Sequence, residues 1–281
     1  MIDITEGDIA CFHEQGFVVI ENVLDAQTLE LARSRFAPLF RGEFETGLIP
    51  DEWNWREGRD SPLLTRQICN GWKSDLTVAA IVLRADIGRA AARLRGWPGA
   101  RINQDNVIWK PPGAAALGFH QDESYEDWVV PSEMVTCWIT LDDTRANQGT
   151  IEYVVGSHRW RKAPPIAQFH APADPLADLR RAAEAEGVGP EIMPIEVSAG
   201  SAVFHHGRTW HGSRSNSGAA PRRSIVAHCM SSEAMFHPDI VGPVYGRYRR
   251  HGTLEMDESF FPILWREDGY RTTWLERYLA G

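Results

Sequence analysis

The chain has 281 residues, of which 43% are hydrophobic and 24% charged, and its net charge is −9. This is the composition of a globular protein that is long enough to bury a substantial core. The net negative charge and the scattered Lys and Arg residues exclude the electrostatic pattern of nucleic-acid binding proteins. No apolar run approaches the roughly 18 residues that cross a bilayer. The start lacks the features of a signal peptide, and the four cysteines show no paired spacing. We therefore expect a cytoplasmic protein that binds neither nucleic acid nor membrane.

The first hundred residues are predicted to be mainly helical. Capping residues and apolar spacing predict, in order, a helix from Thr5 to Gly16, a strand at 17–20, an amphipathic helix from Asp25, and helices near 76–83 and 87–94. A polar loop at 42–62 is rich in aromatic residues and carries Trp53 and Trp55.

After residue 100 the pattern changes to short strands separated by Gly and Pro. Strands are predicted at 102–109, 117–121, 135–141, 150–155, 192–197, 202–204 and 224–230, with one helix at 176–185. This pattern favours a mainly β fold with flanking helices, a double-stranded β-helix (jelly roll, cupin-like) whose mouth can hold a ligand. We expect one domain over 1–281, with a helical part at about 1–100, a jelly-roll core at about 101–232 and a tail at about 233–281 that wraps back as a lid.

Three residues are candidates for a metal site. His120 and Asp122 form an H-x-D motif, and His211 follows 91 residues after His120. On a strand, residues i and i+2 lie on one face, so both side chains of the motif can reach one point. A histidine from a distant strand completes two imidazoles and one carboxylate, which suits non-haem Fe(II) with open positions for oxygen chemistry. His205 and His206 compete with His211 as the third ligand. The remaining histidines show no spacing signal and are interpreted as turn, surface or satisfied core residues; they are His13, His158, His170, His228, His237 and His251.

The sequence around these residues resembles the phytanoyl-CoA dioxygenase family of Fe(II)- and 2-oxoglutarate-dependent oxygenases. The segments that resemble the family are, in order, Phe12 to Val19, Lys110-Pro111-Pro112-Gly113, the H-x-D motif, Cys137 to Asp143, Asn147-Gln148-Gly149, Gly156 to Trp160, His211-Gly212-Ser213, and Asn216, Ser217, Arg222 and Arg223. The loop at 42–75 and the tail after 235 match nothing general in the family, so we expect them to select the substrate.

The resemblance implies Fe(II) as cofactor, with 2-oxoglutarate and O2 as cosubstrates. In the family an arginine 11 residues after the distal histidine binds the far carboxylate of the keto acid, which here gives Arg222. The hydroxyl partner two residues after that histidine is Ser213, and Gln121 and Trp138 match further positions that line the cosubstrate pocket. Trp138 could equally be plain barrel core. Arg223 competes with Arg222 but should face the opposite side of a strand.

The function that follows from the resemblance is hydroxylation of a small molecule with release of succinate and CO2. Asp122 supports oxygen transfer, because related halogenases carry a small residue there and chloride takes its place. Two other classes remain open: a jelly-roll metalloenzyme that uses the same triad without 2-oxoglutarate, and a non-catalytic protein that binds a metal or ligand. The sequence gives no indication of the oligomeric state.

The acidic balance favours a compact polar or zwitterionic substrate over an acyl-CoA, whose negative charges would need a basic groove. An acidic run at 123–127 directly follows the H-x-D motif and is interpreted as a solvated face. Arg56, Arg59 and the 247–250 segment are the residues that could still gather into a basic patch.

Candidate substrate residues come from the loop and from the strands beside the triad. The aromatic side chains expected to close over the substrate are Trp53, Trp55, Tyr125 and Trp128, and the expected polar contacts are Asn103 and Gln104. The alternative for the two loop tryptophans is a packed cover over the barrel.

Overall fold

The computed structural model describes residues 1–280. Its first half contains α1 (Glu6–Gln15), β1 (Phe17–Ile20), α2 (Ala26–Phe40), β2 (Glu52–Trp53), β3 (Arg66–Cys69), α3 (Leu76–Val82), α4 (Ala85–Arg95), β4 (Gly99–Lys110), β5 (Leu117–His120), β6 (Val129–Val130) and β7 (Val135–Thr140). The second half contains β8 (Glu152–Val154), α5 (Ala177–Glu186), β9 (Ile192–Pro194), β10 (Ala202–His206), β11 (His211–Ser213), β12 (Arg222–Ser231), β13 (Met235–Phe236), β14 (Ile263–Arg266) and α6 (Leu275–Ala280). Short 3-10 turns separate several of these elements, including one at Asp122–Tyr125.

Two antiparallel sheets form the body of the protein. The larger sheet has the strand order β1-β10-β7-β12-β4-β3-β2, and β14 also pairs with β4. β3 pairs with the carboxyl-terminal half of the long strand β4, and β14 with its amino-terminal end. The smaller sheet has the order β5-β11-β8-β9. The predicted jelly roll with flanking helices is confirmed.

The larger sheet is buried on both faces, and alternation along β12 shows why. Ile225, Ala227 and Cys229 belong to the core that this sheet shares with the helices. Val226 points the other way and packs with Tyr153 of the smaller sheet in a second core. Side chains on the inner face of β12 therefore face the space between the sheets, where a ligand site can form.

The helices begin and end where the sequence predicts. The Thr5 side chain accepts a hydrogen bond from the backbone of Asp8, which completes a capping box for α1. Asp25 caps α2 and Asp75 caps α3 in the same way. Gly88 of α4 allows the close approach of the tail strand β14, because a Cβ atom at Gly88 would lie 2.6 Å from Cβ of Leu264.

The first hundred residues contain two strands beyond the predicted elements. β1, β2 and β3 all join the larger sheet, and two of them lie in the segment interpreted as a loop. Arg66 and Gln67 occupy half of β3, so this four-residue strand carries no clear alternation. Its pairing with β4, rather than its own composition, makes it a strand.

The tail has structure of its own. Beyond residue 232 it forms β13, β14 and α6, and α6 contacts α3. Pro243, Val244 and Tyr245 line the cavity between the sheets. No helix among residues 1–280 combines the length and the hydropathy that a bilayer crossing needs.

Leu264 offers a test of how far the tail contributes to the core. The side chain is fully buried against α4, so Leu264→Ala should lower the free energy of unfolding by about 2–5 kcal/mol. Leu31→Ala on α2, where the leucine is 52% exposed, is the matched control and should change it by less than about 0.5 kcal/mol. Urea unfolding measures both variants. Equal, small effects would show that β14 is not part of the cooperative core.

Candidate active site

A cavity of about 530 Å³ lies between the two sheets. Its volume is within the range of small-molecule sites. Residues of β4, β7 and β12 line it from the larger sheet, and residues of β5 and β11 line it from the smaller one. The turn that starts at Asp122 and the tail segment at 243–245 complete the wall.

The three candidate metal ligands meet at one side of this cavity. His120 ends β5 and lies directly opposite His211, which begins β11. Their ring centroids are 4.3 Å apart. The Nε2 atoms of His120 and His211 lie 3.4 and 3.5 Å from Oδ1 of Asp122. All three side chains are buried, and their candidate ligand atoms lie within 4.8 Å of one another.

The backbone around Asp122 differs from the expectation. The strand ends at His120, and Asp122 opens a 3-10 turn instead of continuing the strand. Gln121 between them keeps extended backbone angles (φ −114°, ψ 133°), so His120 and Asp122 still point to the same side of the chain. The turn begins only at Asp122 itself.

Hydrogen bonds fix the tautomers of both histidines. Nδ1 of His120 lies 2.9 Å from the carbonyl oxygen of Gly118, and Nδ1 of His211 lies 2.9 Å from that of Thr209. A carbonyl only accepts, so each Nδ1 carries the proton and each Nε2 presents a lone pair. Burial also lowers the pKa of His211 well below its ordinary value. Two imidazole lone pairs thus face a carboxylate oxygen with no donor between them.

The second oxygen of Asp122 is held by donors. Oδ2 accepts hydrogen bonds from Oγ1 of Thr136 at 2.6 Å and from Nε2 of His205 at 3.0 Å. Burial alone would raise the pKa of Asp122, but the imidazoles of His211 and His228 and these contacts hold it well below its ordinary value. The carboxylate is therefore charged, and Oδ1 is directed at the two histidines.

The two competing histidines take other roles. Nε2 of His205 donates to the far oxygen of Asp122, and its Nδ1 lies 2.9 Å from the hydroxyl of Tyr153. Both ring nitrogens of His206 contact arginines, the side chain of Arg95 and the backbone N–H of Arg208. Neither residue joins the cluster of candidate ligand atoms.

A chain of polar side chains that the sequence analysis missed supports Asp122. Nε2 of Gln67 donates to Asn106 (3.0 Å), and Nδ2 of Asn106 donates to Nε2 of His228 (2.7 Å). Nδ1 of His228 then donates to Thr136 (2.9 Å), whose hydroxyl donates to Asp122. These residues lie on four different strands with no common spacing, so only the sheet order reveals them. His228, one of the histidines interpreted as surface or satisfied core residues, is buried with both ring nitrogens hydrogen-bonded.

Arg222 is a buried cation without an anionic partner. It begins β12, and its guanidinium donates to the carbonyl of Gly149 (3.1 Å) and the hydroxyl of Ser224 (2.9 Å). No carboxylate among residues 1–280 forms an ion pair with it. Burial lowers its pKa to about 10, so it stays charged at neutral pH. Arg223 faces the other way and pairs with Asp142 at 2.7 Å, as the alternation predicts.

Ser213 and Trp138 line the cavity close to Arg222, whose Cζ lies 5.8 Å from the Trp138 ring. The hydroxyl of Ser213 lies 2.7 Å from Nζ of Lys110. Lys110 is buried, and burial together with Arg222 lowers its pKa well below the ordinary value. It thus positions Ser213, a role that the sequence analysis did not assign.

Gln121 does not reach the cavity, so its expected place in the cosubstrate pocket is wrong. Its amide nitrogen donates to the carbonyl of Arg208 at 2.7 Å, and its oxygen accepts from the backbone of Ala163 at 2.8 Å. The side chain therefore binds the backbone of the 161–163 segment instead of a ligand. The residues on either side of Gln121 face the cavity, and Gln121 points away between them.

The expected substrate residues divide into two groups. Tyr125, Trp128 and Gln104 line the cavity, whereas Trp53, Trp55 and Asn103 do not. Trp53 packs on Phe44, and Trp55 packs on Phe40. The two tryptophans are therefore a packed cover, and the intervening Asn54 with the preceding Glu52 faces the cavity. Asn103 instead donates to Glu126 at 2.8 Å.

The acidic run after the triad is not a solvated face. Glu123 and Glu126 are only 3% and 4% exposed, and Asp127 is the one exposed acidic residue of the run. Glu126 lines the cavity. Phe169 and His170, which carried no sequence signal, line it as well.

Comparison with known proteins gives one family. The model of the family described as "Phytanoyl-CoA dioxygenase (PhyH)" matches residues 12–224. The curated protein "Dioxygenase olcK" of Penicillium canescens is 27% identical over 135 residues. That match covers 45% of this chain and 38% of the relative, so it spans less than half of that protein's length.

Solved structures agree in fold. The non-heme alpha ketoglutarate dependent carbocyclase SnoK from nogalamycin biosynthesis has a TM-score of 0.71 at 22% identity, covering 93% of this chain and 96% of that one. The epimerase SnoN in complex with Fe3+, alpha ketoglutarate and nogalamycin RO has a TM-score of 0.69 at 20% identity, covering 92% and 98%. The family match extends over most of the chain, and its jelly roll is the fold found here. This chain belongs to the phytanoyl-CoA dioxygenase family.

Proposed function

We propose that this protein is an Fe(II)- and 2-oxoglutarate-dependent dioxygenase that hydroxylates a compact polar molecule. The observation that carries the proposal is the convergence of three acceptors, the Nε2 atoms of His120 and His211 and Oδ1 of Asp122, with no donor among them. Acceptors that face one another repel unless a cation lies between them. Two neutral imidazoles and one carboxylate are the ligands that suit Fe(II).

A keto acid fits the same cavity. Arg222 offers a charged guanidinium without a carboxylate partner, and Ser213 lines the same cavity. An unpaired buried cation is costly, so an incoming carboxylate would be bound strongly. This feature disfavours a metalloenzyme that uses no keto acid, and the intact triad disfavours a non-catalytic protein. When bound, iron and 2-oxoglutarate supply the oxidising power of the reaction, with succinate and CO2 as the products of the keto acid.

The protein's own residues bind, orient and exclude water. His205 and Thr136 fix Oδ2 of Asp122, so that Oδ1 stays directed at the histidines. Trp138 supplies an apolar wall next to Arg222, which strengthens the binding of an anion there by keeping water out. Asp122 provides a carboxylate ligand where related halogenases carry a small residue, which favours oxygen transfer to the substrate.

The substrate should be compact. The cavity of about 530 Å³ must hold both the keto acid and the substrate. Three of the arginines that could have formed a basic patch for a CoA thioester pair with carboxylates: Arg59 with Asp60, Arg247 with Asp51 and Arg250 with Asp257. The other two are held by different contacts, since Arg56 lies over the Trp53 ring and Arg249 donates to backbone carbonyls. Arg222 is the one Lys or Arg in the cavity wall.

The metal site predicts a clear mutational pattern. Protein purified without oxygen should bind about one Fe(II) or Mn(II) per chain, and His120→Ala, Asp122→Ala or His211→Ala should abolish stoichiometric binding. The metal should raise the melting temperature of the wild type because it binds only the folded state. His206→Ala is the control and should bind metal normally. Retention of binding by His211→Ala together with its loss in His205→Ala would assign the third ligand to His205.

Arg222→Ala should weaken binding of 2-oxoglutarate at least 100-fold, because the variant leaves the far carboxylate buried and unpaired. Arg223→Ala removes the same charge from the opposite face of the strand and should change affinity less than about threefold, since that face lies outside the cavity. Calorimetric titration of the anaerobic Mn(II) protein measures both. An equal loss of 2-oxoglutarate affinity in the two variants would contradict the assignment of Arg222, and not Arg223, to the cavity face of β12.

The reaction itself is tested by screening small metabolites for those that raise 2-oxoglutarate-dependent succinate release above the background. With labelled O2, hydroxylation places one oxygen atom in the product and the other in succinate. A product that has instead lost two hydrogens and gained no oxygen would show that the reaction is desaturation or ring formation and not hydroxylation. If the protein consumed no oxygen in the presence of 2-oxoglutarate with every metabolite of the screen, the proposed oxygenase activity would be contradicted.

A further inference from the structure

The carboxyl group of Glu126 faces the cavity. Glu126 is 4% exposed, and its side chain lines the cavity. Its Oε2 accepts a hydrogen bond from Nδ2 of Asn103 at 2.8 Å. Its Oε1 has no hydrogen-bond partner among residues 1–280. Burial raises the pKa of Glu126 to about 7, which reflects the cost of holding this charge without a cation.

No Lys, Arg or His among residues 1–280 forms an ion pair with Glu126. The nearby Lys162 pairs with Asp127 and also contacts Ser132. Arg222 lies far from Glu126 along the sheet. Glu126 is bonded to Asn103, which precedes Gln104 on β4, and Gln104 lies opposite His228 of β12. Arg222 lies opposite Lys110, six positions along β12 from His228, which corresponds to roughly 20 Å. The cavity thus has a cationic end for the keto acid and a separate end with an unpaired carboxyl.

The wall around Glu126 is aromatic and rich in acceptors. Trp128 and Tyr245 line the cavity there, with ring centroids 5.3 Å apart. The hydroxyl of Tyr245 donates to Oε1 of Gln104, and Glu52 contributes a second carboxyl to the wall. Aromatic rings together with an unpaired carboxylate favour a positively charged nitrogen, through charge and cation–π attraction.

We propose that Glu126 binds a cationic nitrogen of the substrate, an ammonium or amidinium group, so that the enzyme acts on a basic or zwitterionic small molecule. The inference rests on the proposed function only in taking this cavity as the substrate site. An amine held by Oε1 would be anchored at the end of the cavity away from Arg222. The rest of the molecule would then lie toward the triad. Neutral analogues lack the charge that compensates the buried carboxylate.

Benzylammonium is a suitable probe, with benzyl alcohol as its neutral counterpart of similar shape. Both are titrated calorimetrically at neutral pH into the full chain loaded anaerobically with Mn(II) and 2-oxoglutarate. The wild type should bind benzylammonium at least tenfold more tightly than benzyl alcohol. Glu126→Gln keeps the size of the side chain and the acceptor for Asn103, and should reduce the difference to less than about twofold.

Glu123→Gln is the matched control. Glu123 is equally buried and lies in the turn that ends just before Glu126, but it accepts from the backbone of Met134 at 3.1 Å and does not line the cavity. The preference for the cation should survive in this variant. Thermal unfolding verifies the fold of both variants, and Glu126→Ala provides a second test should Glu126→Gln fail to fold.

Equal binding of the two probes, no measurable binding of benzylammonium by the wild type, or a preference that persists without the Glu126 carboxyl would overturn the proposal. Binding of 2-oxoglutarate in the same samples separates the two claims. Normal keto-acid binding without a cation preference refutes the role of Glu126 alone. Loss of keto-acid binding refutes the proposed function, whereas the Glu126-dependent preference for a cation is still measured directly by the probes.

Discussion

The structure depends on three acceptors that are forced to face one another. Backbone carbonyls place the protons of His120 and His211 on Nδ1, so both Nε2 atoms present lone pairs to Oδ1 of Asp122. Such an arrangement is repulsive unless a cation occupies it. The protein maintains it through donors to the other carboxylate oxygen, from Thr136 and His205. The metal site is therefore built into the fold.

Alternation along β12 determines which of its side chains face the cavity. Arg222, Val226 and His228 face the cavity, whereas Arg223 pairs with Asp142 on the other face. One strand thus supplies the cation proposed to bind the keto acid and the imidazole that supports Asp122. Because a shift of one residue would reverse every side chain, the register of β12 with β4 and β7 controls both functions.

Much of this architecture could be predicted from the sequence. The long apolar strands, the capped helices and the motif residues carry local signals, and the spacing from His211 to Arg222 distinguished Arg222 from Arg223. The failures have physical reasons. Strand β3 exists because β4 pairs with it, and the burial of Glu126 results from the fold of the turn after Asp122.

Residues that act through neighbours left no trace in the sequence. Gln67, Asn106 and Thr136 are joined in one hydrogen-bonded chain through His228, across neighbouring strands, so only the sheet order brings them together. Trp53 and Trp55 show the opposite error: an aromatic loop resembles a binding surface until its packing is known.

The most direct test is a crystal structure of the protein soaked without oxygen in Mn(II) and 2-oxoglutarate, with anomalous scattering to locate the metal. We expect one metal peak within bonding distance of Nε2 of His120, Nε2 of His211 and Oδ1 of Asp122. We also expect the far carboxylate of the keto acid on the guanidinium of Arg222, with the Glu126 end of the cavity left free. A metal bound elsewhere, or a keto acid that does not contact Arg222, would contradict the proposed function.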